Sequence, residues 1–241
     1  MLKSVTIDNL DIPFDPDWKK IAISVSGGAD SALLTALLCD MIKYESTQPC
    51  EIHIIQHIRN WKSKPWQQYD AVRIFNYFIN NYPDITFYKH NNFIPPEMEE
   101  PNTTFITDEY GASKPGNRII LRAHNEWVAH TYKLDAWFAA VNQNPSINIP
   151  GALPERDEGV LPLHMKHMGV DVYHPFVNTT KDKIIKEYFK HDIKDLLKLT
   201  RSCEGEFDDL DYTTYVPGQD VPECGNCFWC KEREWAIEQV K

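Results

Sequence analysis

The chain has 241 residues, 42% hydrophobic, 25% charged and 12% aromatic. That composition suits one large α/β domain with a real core and excludes disordered, collagen-like and coiled-coil chains. With 25 Lys and Arg against 35 Asp and Glu, the net charge is −10, which gives no global electrostatic reason to bind nucleic acid.

A Pro- and Asp-rich lead comes first. It carries Asp8, Asp11, Asp15 and Asp17 and no basic stretch before an apolar run, so no signal peptide is visible and the expected location is the cytoplasm. The most apolar window, Ile21 to Ile42, is broken by Gly27-Gly28-Ala29-Asp30, which a membrane-spanning helix would tolerate poorly.

Lys20 to Val25 reads as a buried strand, followed by the turn Ser26-Gly27-Gly28-Ala29-Asp30-Ser31. Leu33, Leu34, Leu37, Leu38 and Met41 then recur at helical spacing. Ile52 to Ile55 predicts a second strand. Trp66 to Tyr82 predicts a helix with a stripe of Tyr69, Val72, Phe75, Phe78 and Ile79, stopped by Pro83. A third strand is expected over Ile85 to Tyr88, and a long loop over Asn91 to Gly116. A helix from about Arg118 to Lys133, a strand over Ala136 to Val141 and an irregular stretch over Asn142 to Met168 follow. A short strand over Val170 to Tyr173 and a helix over Lys181 to Phe189 complete the pattern. Strands alternating with helices imply α/β architecture, a doubly wound and mostly parallel sheet. Ligands of such sheets sit at the carboxyl ends of the strands.

The glycine turn joins strand to helix. Its two glycines let backbone N–H groups approach an anion, Ser26 and Ser31 add hydroxyls, and the helix start adds its positive dipole end. Asp30 fits beside a phosphate if Mg²⁺ lies between them, or else it caps the helix. No Gly-Lys-Ser/Thr follows, so this is not a Walker A loop, and the third glycine of a dinucleotide fingerprint is missing. A plain glycine-rich turn capping a helix is the competing explanation. The loop is similar to the PP-loop of the N-type ATP pyrophosphatases, Ser-Gly-Gly-x-Asp-Ser, in all five fixed positions. That resemblance implies cleavage of ATP between its α and β phosphates and transfer of AMP to a substrate oxygen. ATP is then expected at Ser24, Ser26, Gly27, Gly28, Asp30 and Ser31, with Asp30 and Ser31 catalytic and Mg²⁺ accompanying the nucleotide; Lys181, through the family resemblance given below, is expected as a further ATP-binding and catalytic residue that neutralises a phosphate or AMP oxygen, or else it is a solvated first-turn helix residue.

Of six cysteines, Cys203, Cys224, Cys227 and Cys230 crowd the last forty residues. Cys224-Gly-Asn-Cys227-Phe-Trp-Cys230 can wrap one ion, and Cys203 makes a fourth ligand. Four thiolates suit a closed, structural Zn²⁺ site. A redox Cys-x-x-Cys pair and an iron–sulfur cluster are the alternatives. The expected organisation is a PP-loop domain over 1–200 and a small C-terminal zinc-binding subdomain over 201–241.

A PP-loop near the start with a C-terminal four-cysteine site resembles the 7-cyano-7-deazaguanine synthases, the QueC family. Pro115-Gly116-Asn117-Arg118, then Ala136 to Asn142, is similar to the family's Pro-Gly-Arg-Asn, helix and strand ending in Gly-Val-Asn. His174-Pro175-Phe176 with Thr180-Lys181, and Ser202-Cys203 with the cysteine run and Arg233, are similar to two further family stretches. The Arg-Asn order is inverted here. The family's Tyr-Pro-Asp-Cys motif has no clear match; Ile149 to Asp157 stands in its place.

The resemblance implies a ligase that adenylylates the carboxylate of 7-carboxy-7-deazaguanine and lets ammonia form the amide. The amide oxygen is then activated and eliminated to give the nitrile. It also implies a homodimer. The deazapurine acid would meet Arg118, Asn142, Glu155, Arg156 and Asp157, with the carboxylate at Arg118 or Arg156. Arg122 is a further groove candidate, or simply flanks a helix start, and Trp61 and Trp66 are candidates to cap the groove. Another acceptor (a related deazapurine, a protein terminus or a tRNA base) and a nucleotide-binding protein without turnover are the competing functions. The acidic charge weighs against tRNA, and the intact loop weighs against lost chemistry.

Overall fold

The computed structural model describes residues 3–7, 10–58, 66–94, 105–107, 113–115, 117–167, 169–204 and 221–240. Its centre is a six-stranded sheet. In chain order the first elements are the hairpin β1 (Lys3–Ile7) and β2 (Leu10–Phe14), then β3 (Lys20–Ser24), α1 (Ala29–Glu45), β4 (Glu51–Ile58), α2 (Gln67–Asn81) and β5 (Phe87–Phe93). A short hairpin of β6 (Phe105–Thr107) and β7 (Ser113–Pro115) leads to α3 (Asn117–Tyr132) and β8 (Ala136–Ala139). The remainder is β9 (His164–His167), β10 (Val170–Tyr173), α4 (Lys181–Lys190), α5 (Lys194–Leu199) and α6 (Phe228–Glu238).

The sheet order is β5-β4-β3-β8-β10-β9, with every pairing parallel except that of the edge strand β9. Strands are added on one side of β3 as far as β5 and then on the other side from β8, so the order reverses beside β3. That switch point opens a crevice between the carboxyl ends of β3 and β8.

Alternation along β3 explains why it lies at the centre. Ile21 and Ile23 face a large core shared with α1, α2, α4, α5 and α6, while Ala22 faces a smaller core with Val128 and Ala129 of α3. Both faces are therefore covered, and a short apolar run is what such a strand requires. Asp135 fixes the register at the strand starts, its carboxylate accepting from the Lys19 and Lys20 backbone N–H groups at 2.7 and 2.9 Å. The doubly wound α/β fold expected from the pattern is thus present.

Five local expectations change, one being that the irregular stretch over 142–168 contains the edge strand β9 (His164–His167). The acidic lead contains a hairpin, because Leu10, Ile12 and Phe14 of β2 enter the main core beside Trp18. The third strand begins at Phe87 and continues through Lys89, His90, Asn91 and Asn92; an edge position, half open to solvent, accommodates such polar residues. The expected long loop over 91–116 contains the end of β5 and the β6–β7 hairpin, and its other residues lie outside the described ones. The strand from Ala136 stops at Ala139, where the chain leaves the sheet to wall the crevice. No helix among the described residues is long and apolar enough to cross a membrane.

Candidate active site

At the end of β3 the chain turns at Gly27, whose φ of +91° favours glycine. The Gly27 carbonyl accepts from Arg201 N–H at 2.9 Å, which ties the turn to the C-terminal segment. Ser31 lies beneath the loop: its Oγ accepts from Ser26 N–H at 3.2 Å and donates to Gly28 O at 3.3 Å. Gly28, in extended conformation, begins α1 without any side-chain cap. The first N–H groups of α1 thus have no side-chain acceptor, the arrangement that suits an anion.

Asp30 is not that cap. Its Oδ2 accepts from Lys181 Nζ, the first residue of α4, while its Oδ1 is buried with no hydrogen-bond partner among the described residues. Lys181 is almost wholly buried and also stands 3.8 Å from Glu232 Oε2 on α6. Glu232 Oε1 in turn accepts from the Arg156 guanidinium. Two cations and two anions therefore form a buried line beside the loop, and burial of each depends on its neighbours. The orphaned Asp30 oxygen fits a hard cation such as Mg²⁺, which takes carboxylate oxygens.

The crevice holds about 330 Å³. Ser26, Gly27, Gly28, Asp30 and Lys181 line it, with Asn142 behind β8 and Arg156 beyond. Sequence reasoning passed over Gln67 and Asp70 at the start of α2, Arg201 and Trp229, all of which line it too; Trp66, named as a groove cap, joins them. Arg201 stacks over the Trp66 ring at 3.8 Å. Burial pushes the Asp70 carboxyl above the ordinary carboxylate range, and the cations of Arg201 and Arg73 only partly offset it.

Other expected site residues fall elsewhere or have different neighbours. Ser24 Oγ accepts from Trp137 Nε1 at 2.8 Å and is not part of the crevice wall. Arg156 is turned inward: besides Glu232 it donates to the carbonyls of Asn142 and Gln143 at 2.8 and 3.2 Å, and it packs on Phe228 and Trp229. Asp157 is exposed and accepts from Asn144 Nδ2 at 2.8 Å. Arg122 pairs with Glu126 at 3.0 Å and reaches His167, away from the crevice. Arg118 lies in the first turn of α3 and Glu155 in a short 3-10 turn; their side chains, like Trp61, lie outside the described residues.

The four cysteine sulfurs all lie within 4.8 Å of one another. A single ion with metal–sulfur bonds of about 2.3 Å needs sulfurs roughly 3.8 Å apart, and Cys224 and Cys230 stand at 3.9 Å. A four-iron cube would hold its thiolates farther apart, since irons and sulfides stand between them. Burial raises the Cys224 thiol, but N–H groups of Cys227 and Asn226 outweigh it and bring it to about 7. Burial and its sulfur neighbours push Cys230 far up. Thiolates crowded this closely repel one another, and a bound cation removes that repulsion. Cys203 also lines the crevice, and the cluster packs against Trp66.

No family model matches the chain. It is 24% identical over 226 residues to curated proteins named 7-cyano-7-deazaguanine synthase from two strains of Rickettsia bellii, OSU 85-389 and RML369-C. Each match covers 89% of this chain and 92% of the relative. The protein of that name from Rickettsia akari, strain Hartford, is 23% identical over 234 residues at the same coverage. The resemblance carried by the motifs thus extends over nearly the whole chain. Among solved structures, the U34-tRNA thiolase NcsA from Methanococcus maripaludis with its [4Fe-4S] cluster matches with a TM-score of 0.48 and 15% identity. That match covers 93% of this chain and 71% of the thiolase.

Proposed function

We propose that the chain binds ATP in the crevice, cleaves it to AMP and pyrophosphate, and converts 7-carboxy-7-deazaguanine and ammonia to 7-cyano-7-deazaguanine. The observation that carries this reading is the meeting of three features at the switch point: an uncapped helix start, an orphaned Asp30 oxygen and the Lys181 ammonium. The full-length similarity to the deazaguanine synthases supports the choice of acceptor.

In this reading the α1 N–H groups and Ser26 receive phosphate oxygens. Asp30 would hold Mg²⁺, which supplies charge neutralisation at the phosphates. Lys181 moves from Asp30 toward the oxygens that gain charge as the α-phosphorus is attacked, the kind of interaction that accelerates a step by electrostatic stabilisation. Gly27 and Gly28 let the backbone approach, and Ser31 holds the loop in shape. Asn142 and Asp70 offer polar groups for the acceptor edge, where an unpaired buried group costs about 1–3 kcal/mol. The cysteines would bind one structural Zn²⁺ and hold residues 201–204 and the start of α6 beside the crevice of the PP-loop domain. A cytoplasmic homodimer completes the proposal.

The test is incubation with ATP, Mg²⁺, ammonium and the deazapurine acid, followed by assay of AMP, pyrophosphate and nitrile. Lys181→Met and Asp30→Ala are each expected to lower turnover by roughly 10²–10³-fold. ADP and inorganic phosphate as primary products would overturn the ATP chemistry. AMP release that ignores the acid and responds to another acceptor would overturn the substrate assignment.

A further inference from the structure

Glu232 is fully buried on α6, although it sits inside the charged run Lys231-Glu232-Arg233-Glu234. Its two oxygens have different neighbours. Oε1 accepts from Arg156, whereas Oε2 makes no hydrogen bond and lies 3.8 Å from Lys181 Nζ. That spacing is within ion-pair range and just beyond a hydrogen bond. We propose that Glu232 is a positioning residue for Lys181, holding the ammonium at the crevice when Asp30 lets it go. The inference rests on the reading that Lys181 serves ATP.

The charge arithmetic of the buried line supplies the reason. Arg156 and Lys181 balance Glu232 and Asp30. If Asp30 turns toward the cation that accompanies the nucleotide, Lys181 loses its hydrogen-bonded anion while remaining 2% exposed. Phosphate oxygens then meet the ammonium from the crevice side, and on the protein side a facing carboxylate is what holds a buried ammonium in place. Among the described residues Glu232 is the other carboxylate paired with it. The same residue also neutralises Arg156, so a purely structural role must be separated from the positioning one.

Paired variants make that separation. Glu232→Gln alone leaves Arg156 without its buried anion, and a lowered thermal midpoint is expected. Arg156→Met with Glu232→Gln removes one charge of each sign, and the midpoint should largely recover. Affinity for ATP with Mg²⁺, measured by calorimetry without acceptor, should stay about tenfold weaker than in the unmodified protein, the scale of a charge-assisted contact. Recovery of ATP affinity together with the midpoint would overturn the proposal and leave Glu232 as a partner of Arg156 alone. A second measurement uses the Lys181→Met background, where Glu232→Gln should change ATP affinity less than about twofold because its effect runs through Lys181. An equal loss in both backgrounds overturns it as well. If the unmodified protein binds no ATP, the nucleotide reading itself fails, a result distinct from either of these.

Discussion

Acid should weaken the fold through one histidine. His53 on β4 is fully buried, its ring stacked on His90 at 5.1 Å and on Tyr88 at 4.9 Å, with Nδ1 2.9 Å from His90 Nε2. Burial, then the neighbouring His90, lowers its pKa from 6.5 to about 4, although Glu51 at 3.7 Å pulls the other way. The unfolded chain therefore takes up a proton near pH 6.5 that the native chain refuses until about pH 4. Stability is full above the unfolded pKa and declines as pH falls through that window. Between pH 7.5 and 5 the loss from this group is about 2 kcal/mol. For a chain of this size that corresponds to a fall in thermal midpoint of roughly 4–8 °C. Thermal unfolding of the unmodified protein and of His53→Gln, followed across this pH range, isolates the contribution because the remaining titrating groups are common to both. The unmodified protein should lose stability more steeply by that amount. Parallel curves, agreeing within about 0.5 kcal/mol at every pH, would refute the argument that this imidazole is kept neutral by burial.

Chelation of the proposed zinc should lower the thermal midpoint, because the metal's binding energy is folding energy; metal analysis should find about one zinc per chain, and iron, or an unchanged midpoint in a metal-free chain, contradicts this. Gly28→Ala places a methyl 3.4 Å from Ser26 Oγ and 3.8 Å from Arg201 O, ordinary contacts, so the midpoint should hold while ATP affinity falls about tenfold as the methyl crowds the anion cradle. Gly27→Ala forces φ +91° on a residue with a Cβ and should cost about 1–2 kcal/mol in denaturant unfolding whether or not nucleotide is present.

The parts of the fold visible in the sequence are those where one local feature decides the outcome. Apolar runs such as Ile21–Ile23 require burial on both faces, and Gly27 marks a turn few other residues adopt. The strand Val170–Tyr173 and the helix from Lys181 follow directly from their patterns. What sequence reasoning passed over depends on partners far along the chain. Lys89 to Asn92 look like loop residues, but pairing with β4 and the His53–His90 contact make them strand. The same holds at the site. The glycine loop is a local motif and was legible. Asp70, Arg201, Trp229 and Glu232 come together because the topology brings two helices, α2 and α6, and the segment after α5 to the same crevice and the buried charges beside it. Arg156 was noticed for its charge, and only its buried neighbours reveal that it faces α6.

The central position of β3 also bears on how the chain folds. Its partners are β4, close by in sequence, and β8, where Ser24 pairs with Ala139 more than a hundred residues later. During synthesis at about 5–20 residues per second, the second edge of β3 waits roughly 6–23 seconds for its neighbour. Throughout that interval an apolar strand presents unpaired N–H and C=O groups, the template on which other chains aggregate. The glycine turn at Gly27 and Gly28 is fastened to that same strand. Crowding of nascent chains and prompt chaperone capture should therefore govern the yield of soluble protein more strongly than the stability of the finished fold does.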